Sequence, residues 1–104
     1  MTRPANPARG EAELTVTGQH YVLRPSFEAL VAAEQDIGSL YALVERASEG
    51  VLTLAEITTL LWHCLPADDR PPRDEVGKAV LALGLVAATR PVRAILAQVL
   101  QGQA

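Results

Sequence analysis

Residues 9–30, RGEAELTVTGQHYVLRPSFEAL, decide how the rest of the chain is read. Leu14 and Val16 alternate with Glu13 and Thr15. After Thr17-Gly18-Gln19, Tyr21 and Leu23 alternate with His20, Val22 and Arg24. Two short alternating runs around a Gly-containing turn predict a β-hairpin with one buried face. Pro25 favours extended backbone before it, and Ser26 is a strong N-cap, so a helix should follow at once. Glu28 then falls in the first turn, where the helix dipole favours a negative charge.

Outward from this stretch, the composition sets bounds. A chain of 104 residues, about half of them apolar, supports one modest folded core. Nine basic and twelve acidic residues are scattered, so no basic stripe marks a nucleic-acid surface. One cysteine excludes an internal disulfide framework and fits a reducing cytoplasm. The opening MTRPANPAR has no apolar segment of the secretory type and is expected to be a disordered tail over residues 1–9. Residues 10–104 then form a single hairpin-plus-helices domain. The longest nearly uncharged run, residues 76–89, is too short for a membrane span and contains Lys78. A soluble cytoplasmic protein is expected, with no membrane or nucleic-acid partner.

The helical remainder is punctuated clearly. A first helix is expected over Phe27–Ile37, with Phe27, Leu30, Val31 and Ile37 on its apolar stripe and Gly38 as its stop. Glu34 shares that face and should pair with Arg24 or Arg46 rather than contact a partner. Ser39 caps a second helix from Leu40 to about Glu49, ended by Gly50, with Tyr41 half-buried on its flank. Thr53 and Glu56 form a capping box, flanked by the staple pair Leu52 and Ile57. In the third helix, Leu54, Ile57, Leu60, Leu61, Cys64 and Leu65 share one arc, and Pro66 ends it. Residues 66–72, PADDRPP, form a loop.

The fourth helix is expected from about Arg73 to Ala87, apolar on two sides and therefore either central to the bundle, the favoured place, or half-exposed for a partner. Val76, Ala79, Val80, Leu83 and Ala87 form one stripe, and Leu81, Leu85 and Ala88 form another. Gly77 and Gly84, seven apart on nearly one line, suggest a close neighbour there. Thr89-Arg90-Pro91 should start a last helix with Val92, Ile95, Leu96, Val99 and Leu100 inward, ended by Gly102. The expected fold is α+β: an N-terminal two-stranded β-hairpin followed by a four- to five-helix bundle.

No residue set announces chemistry. His63 and Cys64 are adjacent, which on a helix turns them about 100° apart, and His20 is the one other imidazole. Asp68, Asp69, Asp74 and Glu75 lack the alternating acids and central glycine of a calcium loop. A cofactor-free enzyme using His63 or Glu34 is the weakest reading, since neither has a partner visible in sequence. No catalytic residue, metal ligand or cofactor is expected. Trp62 falls outside the arc of the third helix, where it either packs within the chain or serves as a partner anchor. Trp62, Leu81 and Leu85 are the candidate partner-binding residues.

The hairpin-to-helix residues also carry a resemblance. Arg9-Gly10-Glu11, Gly18, Tyr21, Leu23 to Phe27, Ala29-Leu30, Glu34, Gly38, Leu52 to Ile57, Gly84-Leu85 and Gly102 resemble the small tail assembly chaperones of gene transfer agents and related tailed phages. These are sometimes labelled tail tube proteins. The family usually has a Ser or Thr cap before the fourth helix, where this chain has Pro71-Pro72-Arg73. The resemblance implies a non-catalytic factor that holds the tape measure protein soluble during tail morphogenesis. The major tail tube protein and further copies of the chain are secondary candidate partners. A tail tube subunit and an unrelated regulatory protein-binding module are the alternatives.

Overall fold

The computed structural model describes residues 11–101, so the expected tail at residues 1–9 and the stop at Gly102 lie outside the described residues. Strands β1 (Ala12–Val16) and β2 (Gln19–Leu23) pair antiparallel, with Leu14 opposite Tyr21 and Val16 opposite Gln19. Thr17 and Gly18 both have positive φ, at 51° and 76°, as a two-residue primed turn requires. The turn is thus one residue tighter than the sequence suggested, and Gln19 belongs to β2. Leu14, Val16 and Leu23 face the core, with Tyr21 partly buried beside them.

Val22 departs from the expected alternation: it is buried as well, on the opposite face of β2. There it shares a pocket with Ala29 and Ala32 from the following helix and with Trp62. The hairpin end is therefore covered on both sides.

Helix α1 (Phe27–Ile37) begins at Ser26, whose Oγ accepts the Ala29 N–H, and stops at Gly38 with φ 86°. Its stripe is rotated from the expected one. Ala33 is the buried residue and Phe27 is exposed, because the helix meets its neighbours through its small side chains. Helix α2 (Leu40–Ser48) is capped by Ser39 and buries Leu40 and Leu43. Tyr41 is exposed rather than half-buried. Glu34 pairs with neither expected arginine: its carboxylate accepts the Leu40 N–H and so fastens α1 to the start of α2. Arg24 instead reaches Glu11, and Arg46 reaches Glu56.

Helix α3 (Leu54–His63) has the full capping box, with the Glu56 N–H on Thr53 Oγ1 and the Thr53 N–H on a Glu56 carboxylate oxygen. It packs against α1, α4 (Arg73–Leu83) and α5 (Leu85–Gln101), which makes it the centre of the bundle, a place the sequence assigned to α4. Burial extends past the aliphatic arc to Thr58, Thr59 and His63, while Leu54 stays partly exposed. A Cβ at Gly77 of α4 would meet Thr58 Cγ2 at 3.7 Å, so the small residue lets α4 lie close to α3.

The largest correction lies after α4. The chain does not continue helically to Ala87; it breaks at Gly84, with φ 97° and ψ 144°, and turns by 117° into α5. That backbone conformation is essentially restricted to glycine. Leu85 therefore opens α5, and Pro91 lies inside that helix, buried, rather than at its start. Pro91 cannot donate to the carbonyl four residues back, but the backbone break has already been made at Gly84. Ala88, Val92, Ile95 and Leu96 of α5 close the core over α3 and β1.

Candidate functional site

Two surfaces stand out once the core is filled. The first surrounds Trp62 at the C-terminal end of α3. Its indole Nε1 donates to the Pro71 carbonyl at 2.9 Å, and the guanidinium groups of Arg70 and Arg73 lie 4.3 and 4.4 Å from the ring centroid. Such cation–π contacts hold an aromatic side chain firmly where it is partly shielded from water. The His63 ring meets Trp62 edge-on at 4.8 Å. His63 Nε2 is 2.6 Å from Asp36 Oδ2, and Arg73 Nη2 donates to the same oxygen at 3.0 Å.

Asp36 is the residue that sequence reading missed here. It lies on α1, off the apolar stripe, and nothing in its spacing pointed to His63 at a separation of 27 residues. The His63–Asp36 pair orients an imidazole, as catalytic dyads do, but no hydroxyl or thiol is hydrogen-bonded to that imidazole among the described residues. Cys64 points into the core, and burial pushes its thiol up to about 12, against a smaller opposing effect of Arg70. A thiol in that state is a poor nucleophile and a poor metal ligand. Among the described residues, no group of three or more His, Cys, Asp or Glu side chains is arranged to hold a metal ion. No single described helix is long and apolar enough to cross a membrane.

The second surface is apolar. Leu81 is 60%, Leu83 47%, Leu85 50% and Val86 87% exposed, all within six residues of the Gly84 break. Residues 79–89 carry no charge, so the corner where α4 turns into α5 presents a greasy ridge. Ala88, grouped with Leu81 and Leu85 by periodicity, is instead core. Leu83, expected on the main apolar stripe of the fourth helix, is exposed, as is Val86, because the helix ends at Gly84 and does not continue to Ala87. From Leu81 the ridge runs into a groove of about 900 Å³ between α3 and α4, lined by Leu54, Ala55 and Thr58 opposite Gly77 and Lys78. Arg73 closes the far end and stacks on Trp62. Eight helical residues separate Arg73 from Leu81, or about 12 Å along α4. Trp62 and Leu81 thus mark opposite ends of one α3–α4 face.

A family model described as phage tail tube protein, GTA-gp10, matches residues 9–102. The chain belongs to that family. No curated protein and no solved structure matches it. Membership in the GTA-gp10 family makes this a tail protein of a phage or gene transfer agent, with other tail proteins as its partners. A protein that works by contact with tail components needs open binding surface. Leu81, Leu83, Leu85 and Val86 are open to solvent, whereas Trp62 is engaged by its own chain.

Proposed function

We propose that this member of the GTA-gp10 family is a tail assembly chaperone. In this reading it acts in the host cytoplasm, without catalysis, and binds an apolar helical segment of the tape measure protein while the tube assembles. The observation that carries the proposal is the exposed ridge at the α4–α5 corner. Apolar side chains clustered on the surface of a small domain mark sites of association. Each half-exposed leucine that becomes buried would contribute roughly 1 kcal/mol or more to binding. Leu81 and Leu85 are the central contacts, and the α3–α4 groove leads from them toward Trp62. Leu85 gives the cleaner test, because replacing Trp62 would also remove the stack that holds Arg70 and Arg73.

The second reading is a structural subunit of the tail tube, favoured by the family description. Against it, the described residues contain one two-stranded sheet, a small basis for a ring built by β-pairing. The composition of purified mature particles separates the two. A chaperone is absent from them or present in traces, whereas a tube subunit is present in many copies per particle.

A further inference from the structure

The surface around Trp62 carries a charge that the described residues leave without a counterion. A pocket of about 510 Å³ opens where the end of β2 meets the start of α1 and the C-terminal end of α3. Val22, Ala29, Ala32 and Trp62 contribute apolar surface to it, and Arg24 and Arg70 stand in its wall. Most cations near the core are paired: Arg24 with Glu11, Arg46 with Glu56, Arg73 with Asp36. Arg90 and Arg93 are exposed to water. Arg70 alone is both partly buried and without a carboxylate among the described residues.

Its hydrogen bonding is incomplete as well. Nη2 donates to the Leu65 carbonyl at 3.2 Å, while Nε is shielded from solvent and has no acceptor among the described residues. A buried donor on a charged group is costly to leave unsatisfied. Nor is the missing partner explained by a lack of local acids. Asp68 and Asp69 precede Arg70 directly in sequence, and Glu28 stands on the pocket rim, yet none of them pairs with it. The guanidinium instead lies over Trp62, 4.3 Å from the ring centroid, a planar donor fork beside an apolar floor.

We infer that this pocket docks an acidic segment of a partner protein. An Asp or Glu carboxylate of that segment pairs with Arg70, with Arg24 adding positive potential, and a neighbouring apolar side chain covers Val22 and Ala29. The site is separate from the α4–α5 ridge and does not depend on the identity of the ridge's client.

The chain has a single tryptophan, so emission from Trp62 reports directly on this pocket. The full chain is titrated with the blocked peptide acetyl-Ala-Leu-Asp-Leu-Ala-amide and with its Asn counterpart, up to millimolar concentration. Amide NMR shifts at Val22 and Ala29 provide a second readout. The Asp peptide is expected to bind saturably. The Asn peptide, and the Asp peptide on Arg70→Gln, should bind at least tenfold more weakly. Arg24→Gln gives a second, milder loss should Arg70→Gln fail to fold. Equal binding of both peptides, no binding of either, or unchanged binding to both variants overturns the inference. Displacement of the Asp peptide by equimolar inorganic phosphate also overturns it, in favour of a phosphate-bearing ligand.

Discussion

His63 on α3 and Asp36 on α1 meet at 2.6 Å, with Arg73 of α4 donating to the same carboxylate oxygen, so one acid ties three helices together. The hydrogen bond from His63 holds the Asp36 carboxyl below its ordinary value; loss of hydration opposes it, and the Arg73 hydrogen bond and charge reinforce it. A carboxyl whose folded pKa is depressed gives stability that is present above its unfolded value, near about 4. That stability is lost as pH falls through the folded value. Asp36→Asn should therefore lower the thermal midpoint at pH 6–7, and the gap to the wild type should narrow as pH falls below about 4. A gap independent of pH would contradict this role for Asp36.

The Thr53–Glu56 capping box satisfies backbone groups at the start of the central helix, and Glu56 also anchors Arg46. Thr53→Ala should cost about 1 kcal/mol in chemical denaturation. A change indistinguishable from zero would remove the cap from the account.

Gly77 and Gly84 should respond in opposite directions. At Gly77 a Cβ makes ordinary contact with Thr58, so alanine gains helix propensity of about 0.5–1 kcal/mol. At Gly84, φ 97° makes any Cβ costly by about 1 kcal/mol or more, although the space around it is open. Midpoints of Gly77→Ala and Gly84→Ala in urea test this, and a stabilised Gly84→Ala would refute the backbone break.

Cys64 is 2% exposed, with its thiol pushed up to about 12, so at pH 8 the native protein should react with a thiol reagent far more slowly than the urea-unfolded chain. Equal rates would show that the C-terminal end of α3 opens readily.

These residues also show what was legible beforehand. The hairpin, the Ser26, Ser39 and Thr53 caps and the extent of α1 were readable because each rests on interactions between residues close in sequence. The Gly84 break was not. Its surroundings, residues 79–89, are uncharged and helix-forming, and a glycine in such a run reads equally well as a packing gap. That misreading split the ridge, since Leu83 and Val86 come into one corner only after the 117° turn. Burial of Thr58, Thr59 and His63 was hidden for a different reason. Polar residues off an aliphatic arc look solvated until Asp36 and Gly77 arrive from elsewhere in the chain. Leu81 and Leu85 were identified from residual periodicity, and both are exposed.

The most direct test of the central claim is co-expression of the tagged chain with the tape measure protein of its own tail cluster, followed by affinity capture. Leu85→Asp and the double variant Leu85→Asp/Val86→Asp are run alongside, each first checked for an unchanged thermal midpoint. The account predicts that the wild type keeps the tape measure protein soluble and co-purifies with it. The single variant should lose most of that capture, and the double variant all of it. A wild-type chain that captures no tape measure protein, or folded variants that capture it undiminished, would contradict the account.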